Sequence, residues 1–177
     1  MVFHGETIII VPMVNKQGFI YSDASFDKNL EVGIVGFALT TSKEEELKID
    51  KIQFKSVFVT NNIRAELMAC LFALESAEGF SNLTLYTDCQ TICGLLARRL
   101  KLESNGFKSK SKNQQLANTD LYQEFYRFND ILNLKIEWVK GHSAKSGQSF
   151  IQKNFSVLDK SLRAHLRKSN LANTGFG

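Results

Sequence analysis

The chain has 177 residues, 44% hydrophobic and 23% charged, a balance that supports one soluble globular domain and excludes wholesale disorder. No uncharged apolar run approaches the roughly 18 residues of a membrane span. Ile8-Ile9-Ile10-Val11 is too short for a signal-peptide core and follows Glu6 rather than a basic segment, so a cytoplasmic protein with no membrane partner is expected. The net charge of +4 is unevenly spread: Arg98 to Lys112 carries +5 and Lys160 to Lys168 carries +4, leaving −5 on the rest. Such patches suit a polyanion partner or two solvated faces.

Residues 1–18 read as an extension, either a functional arm or an extra strand. Phe19 to Phe26 alternates as a strand, with Phe19, Tyr21 and Asp23 on one side. Asp27-Lys28-Asn29 signals a turn into a second strand over Gly33 to Thr41. The charged link Lys43 to Asp50 leads to a third strand over Gln53 to Thr60, so the opening half predicts an antiparallel meander. Ile63, Leu67, Cys70, Leu71 and Leu74 recur at helical spacing across residues 62–79, with Gly79 as stop signal. A fourth strand is expected over Leu83 to Asp88 and a helix over Gln90 to Arg99. A polar, lysine-rich loop over Ser104 to Asn113 and a helix over Asp120 to Leu132 follow. Lys135 to Lys140 is the fifth strand, Ser156 to Lys168 the last helix, and residues 170–177 a frayed tail. This order predicts an α/β domain spanning residues 1–177, with a five-stranded mixed sheet of three antiparallel strands plus helix-linked strands, flanked by helices. Cys70, Cys89 and Cys93 form no zinc pattern and read as small core residues in a reducing setting.

Carboxylates stand at unusual places in this pattern. Asp23 lies inside a strand, where Asp is disfavoured. Asp88 ends the fourth strand, and neighbouring first and fourth strands would bring the two together; its alternative is a helix N-cap. Glu66 falls at the border of the apolar stripe on the first long helix. Asp159 opens the last helix, where the helix dipole or an i,i+4 pair with Arg163 is a sufficient alternative. Converging carboxylates cannot all remain ionised. Divalent ions resolve this, and hard oxygen ligands suit Mg²⁺ or Mn²⁺. Two such ions about 4 Å apart can activate water against a phosphodiester.

In order along the chain, Tyr21-Ser22-Asp23-Ala24-Ser25, Thr60-Asn61-Asn62-Ile63-Arg64-Ala65-Glu66-Leu67, Tyr86-Thr87-Asp88-Cys89-Gln90 and Val139-Lys140-Gly141-His142-Ser143 resemble the motifs of the type 1 ribonuclease H family. The resemblance runs from about Phe19 to Lys168. It implies a ribonuclease H-like fold and a metal-dependent endoribonuclease, expected as a monomer, that cuts the RNA strand of RNA–DNA hybrids and leaves 3′-hydroxyl and 5′-phosphate ends. Asp23, Glu66, Asp88 and Asp159 would hold two Mg²⁺ ions, with Mn²⁺ as substitute and Asp23 shared between them. His142 would assist proton transfer or product departure from a flexible loop.

Asn62 and Gln90 resemble the family's hybrid-contacting amides, which read 2′-hydroxyls; helix capping is the alternative job for each. Residues 98–120, with Gly106-Phe107-Lys108, resemble the basic protrusion of bacterial members. Arg98, Arg99, Lys101, Lys108, Lys110 and Lys112 would there contact phosphates without reading sequence. Two features depart from the pattern. Ala24 replaces the usual glycine, and His142 to Asp159 is 17 positions, longer than in compact bacterial members, with Ala144 to Asn154 as an insert. The basic helix with Arg163 and Arg167 is expected to add hybrid affinity. A catalytically idle binding module and a DNA-directed nuclease of the same superfamily are the competing readings. The presence of all four carboxylates argues against the first, and the motifs around Glu66 and His142 against the second.

Overall fold

The computed structural model describes residues 16–140 and 147–174, with side chains to residue 170. β1 (Gln17–Asp27), β2 (Val32–Thr40) and β3 (Gln53–Phe58) form the antiparallel meander. β4 (Asn82–Thr87) and β5 (Asn133–Trp138) extend the sheet in parallel, giving the order β3-β2-β1-β4-β5. β1 is therefore central, flanked by an antiparallel and a parallel neighbour.

Alternation along β1 divides the core. Ile20 faces α1 (Asn62–Glu75), α3 (Leu95–Ser104) and α4 (Thr119–Ile131), and packs with Leu67, Leu85, Leu95 and Phe125. Phe19 and Tyr21 face α5 (Phe150–Thr174), and pack with Leu158, Leu162 and Tyr86. The Tyr21 and Tyr86 rings stack at 5.0 Å. Asp23 continues the Phe19–Tyr21 side, so by the period of two it turns toward α5.

Gly36 lies opposite Asp23 in the β1–β2 register. A Cβ there would sit 2.5 Å from Leu162 Cδ2 and 2.9 Å from the Gln53 carbonyl oxygen. Glycine at that position lets α5 settle onto the sheet beside Asp23. Asn154 fixes the same helix from within the core. Its Oδ1 accepts from the Leu47 amide at 2.9 Å, and its Nδ2 donates to the Glu45 carbonyl at 2.8 Å and to the Tyr21 hydroxyl at 3.2 Å.

Several element boundaries differ from the sequence expectation. α1 ends at Glu75, where the Ser76 hydroxyl bonds back to the Phe72 carbonyl, so Gly79 lies beyond the helix. The helix expected over 90–99 is two pieces, α2 (Gln90–Cys93) and α3, joined at Gly94. The last helix begins at Phe150 rather than Ser156 and continues through Thr174, where a frayed tail was expected. Residues 150–154 of the expected insert are thus the opening of α5. The expected extension over 1–18 falls on undescribed residues except where β1 begins. Cys70 is buried, while Cys89 and Cys93 are half-buried at the start and end of α2. Among the described residues no helix is long and apolar enough to cross a membrane.

Candidate active site

The β1–β4 register pairs Tyr21 with Tyr86. Two residues further on, Asp23 and Asp88 come to the same end of the parallel pair. Glu66, in the second turn of α1, enters from the other layer. The three side chains each offer a carboxylate oxygen within 4.8 Å of the others. Asp23 and Glu66 are buried and Asp88 is half-buried.

Neighbouring residues, not these acids, cap the adjoining helices. Asn61 caps α1, accepting from the Arg64 amide at 2.9 Å. Asn62 is thereby freed from capping, and its Nδ2 donates to Glu66 Oε1 at 3.4 Å. α2 takes Cys89 as its N-cap residue, and the Thr87 hydroxyl accepts from the Cys89 amide at 3.1 Å. Asp88 is thus not the cap that the sequence offered as its alternative. Gln90 is exposed at the first position of α2.

The electrostatics of the cluster are those of like charges forced together. Burial, then the nearby charges of Asp88 and Asp159, push the Asp23 carboxyl up to about 8. Burial and the charges of Asp23 and Asp88 raise Glu66 well above the usual carboxylate range. The Ala24 amide opposes both shifts. Glu66 Oε2 is buried with no hydrogen-bond partner. Three carboxylates this close, one of them with an orphaned buried oxygen, are a donor set for a hard divalent cation. The residues present fit such an ion.

Asp159 does not belong to the group of three. It lies in the third turn of α5 and not at its opening, so the helix dipole does not account for it. It is half-buried, close enough to Asp23 to act on its ionisation, and its Oδ1 accepts from Arg163 Nε at 2.7 Å. Asp88 and Asp159 line one open cleft of about 800 Å³. His142 lies outside the described residues.

The chain leaving the lysine-rich segment is tied to α1. Arg64 forks onto Asp120, with Nη2 to Oδ2 at 2.6 Å, and reaches Asn118 Oδ1 at 3.4 Å. The stretch that follows the loop is therefore tied to the first turn of α1, two residues before Glu66. Phe107 is buried as the loop's anchor at φ 57°, and its amide donates to the Leu102 carbonyl at 2.8 Å. Lys101, Lys108, Lys110 and Lys112 are exposed around it. Arg98 donates to the Thr91 and Gly94 carbonyls, at 2.8 and 3.0 Å. Arg99 pairs with Asp130 and with Glu103. These two arginines already hold the α2–α3 junction and α4.

The sequence reading passed over Lys153 and Gln152 as loop residues. Both belong to α5 and line the cleft with Asp88 and Asp159. Ser149 and Gln152 exchange bonds as a capping box, Ser149 amide to Gln152 Oε1 at 3.0 Å and Gln152 amide to Ser149 Oγ at 3.3 Å. That pattern was the signal that places the helix start.

Comparison with known proteins agrees with this geometry. Residues 15–154 match the family model described as RNase H. The chain is 30% identical over 128 residues to a ribonuclease H of Francisella tularensis subsp. novicida, covering 72% of this chain and 80% of that protein. It is 33% identical over 86 residues to a ribonuclease H of Desulforamulus reducens, covering 48% of this chain and 54% of that protein. Asp159 lies beyond the matched span.

Proposed function

The chain belongs to the ribonuclease H family, and from that premise we propose that this endoribonuclease hydrolyses the RNA strand of RNA–DNA hybrids with two divalent ions, leaving 3′-hydroxyl and 5′-phosphate ends. The observation that carries the reading is the convergence of Asp23, Glu66 and Asp88 within 4.8 Å, with a buried oxygen of Glu66 unpartnered. Asp23, Glu66 and Asp88 would hold the metal, Mg²⁺ or its substitute Mn²⁺, with Asp159 completing the set from α5. Bound divalent ions supply activation of the attacking water and neutralise charge gathering on the phosphate.

The protein's own groups do the rest. The Asn62 amide steadies one oxygen of Glu66, while the other is buried without a hydrogen-bond partner. Asn62 and Gln90 are exposed at the starts of α1 and α2, beside Glu66 and Asp88, as carboxamides able to engage a 2′-hydroxyl. Lys101, Lys108, Lys110 and Lys112 would contact phosphates and fix the hybrid's register. Arg98 and Arg99 would add to that field while holding their structural partners. His142 would carry a proton to the departing 3′ oxygen. A single compact domain acting as a monomer in the cytoplasm completes the reading.

The test is a panel of end-labelled substrates in Mg²⁺: hybrid, RNA duplex, DNA duplex and single-stranded RNA. Cutting confined to the RNA strand of the hybrid is the expected result. Cutting of the DNA strand would assign a DNA-directed nuclease, and binding without any cutting an idle module.

A further inference from the structure

The far part of α5 lies beyond the span matched to the family, and the carboxylate cluster does not account for its composition. Lys153, Lys160 and Arg167 stand seven residues apart, so each projects within about 20° of the last. Arg163 shares the stripe. All four line the cleft that also contains Asp88 and Asp159. Lys153, Lys160 and Arg167 are exposed, and none forms an ion pair among the described residues. Lys153 lies over the Phe150 ring at 5.6 Å. Arg163 is the one that holds Asp159.

We propose that this stripe is a second nucleic-acid track, separate from the lysine-rich loop, that takes phosphates of the cleaved strand as it passes from the carboxylates along α5. The proposal rests on the hybrid-cleaving reading above. The cleft shares Asp88 and Asp159 with the candidate metal site, so a strand presented to those carboxylates is the strand that enters it. Among the described residues the cleft's further carboxylate is Glu46, against five Lys and Arg side chains. A merely solvated helix face carries charges of both signs along its length; here Asp159, engaged by Arg163, is the stripe's one acid, and Lys160 to Lys168 contains none. The eight-residue advance from Asp159 to Arg167 rises about 12 Å, the axial length of roughly three to four nucleotides. Contacts of this kind are sequence-independent and lengthen the footprint without altering the chemistry.

The test compares the full chain with a Lys153→Ala, Lys160→Ala, Arg167→Ala variant. Hybrid binding is followed in chelator, where the strand stays intact, across a range of salt. Loss of three phosphate contacts should make the plot of log affinity against log salt shallower by about 2–3 and weaken low-salt binding at least tenfold, on the order of 0.7–0.9 in slope per contact. Trimming the RNA strand to within about three nucleotides of the cleavage point on the α5 side should weaken the wild type and leave the variant unchanged. Equal salt slopes for a wild type that does cleave hybrid would overturn the track alone. A wild type that neither binds nor cleaves hybrid removes the underlying reading and the track with it. Because all three side chains are exposed, the variant should melt with the wild type, which separates lost contacts from lost fold.

Discussion

Replacing Asp23 by asparagine should stabilise the metal-free protein while removing its activity. The Asp23 carboxyl is pushed up to about 8 in the fold, against roughly 3.9 in an unfolded chain. A raised folded value means that the contribution is most favourable below about pH 4 and is lost as pH rises through about 8. At pH 7 the unfolded chain has released a proton that the fold retains. The gap of about 3 pH units corresponds to roughly 4 kcal/mol. Asp23 and Glu66 share that strain, so the recoverable part is about 2–4 kcal/mol.

Asparagine keeps the shape and carries no charge at any pH, so the variant should recover this amount at pH 7 and nothing near pH 4. For a chain of this size that is a rise in Tm of roughly 4–16 °C. Thermal unfolding in chelator at the two pH values reads it directly. Added Mg²⁺ should raise the wild-type Tm and move the variant far less, because binding to the folded state alone adds stability by mass action. A variant no more stable than the wild type at pH 7, or equally stabilised at both pH values, would refute the account of an Asp23 carboxyl raised by burial and by its charged neighbours.

Further outcomes follow from the other parts of the site. Lys108, Lys110 and Lys112 changed together to Ala should flatten the salt dependence of hybrid binding by about 2–3 in slope, read by titration across salt; an unchanged slope would return these lysines to the solvated-face reading. Asn154→Ala removes three bonds and leaves the Leu47 amide unsatisfied, a loss of roughly 2–4 kcal/mol in urea unfolding; a midpoint equal to the wild type's would contradict the anchoring role of Asn154. Asn62→Ala combined with Gln90→Ala should narrow the preference for hybrid over DNA duplex in competition binding, with Tm unchanged; an unaltered preference would remove 2′-hydroxyl reading from these amides.

The sheet and most helices were legible because each β-strand shows its own period and each amphipathic helix its own stripe. Phe19, Tyr21 and Asp23 share one face in the sequence and in the structure, and the structure shows that this face of β1 packs against α5. The juxtaposition of Asp23 with Asp88 was readable once β1 and β4 were taken as neighbours. The burial of Glu66 was less so, because it depends on how closely α1 meets the strand ends. α5 was misplaced at both ends. Its start is encoded by Ser149 and Gln152, whose capping box is a local signal. Its deep seating depends on Gly36 and Asn154, whose partners lie on distant elements. Long-range packing of that kind leaves no periodic trace in a single sequence. Gly94 gave the opposite problem: one residue divides a stretch whose apolar spacing reads as continuous helix.

The central claim is that these carboxylates serve metal-assisted attack by water on the RNA strand of a hybrid. Its most direct measurement is the chemistry of the product ends after incubation with Mg²⁺ and, in parallel, with chelator. The expected result is RNA cleavage in Mg²⁺ alone, with 5′-phosphate and 3′-hydroxyl termini. Cleavage that persists in chelator, or products ending in a 2′,3′-cyclic phosphate, would show attack by the substrate's own 2′-hydroxyl and would contradict the account.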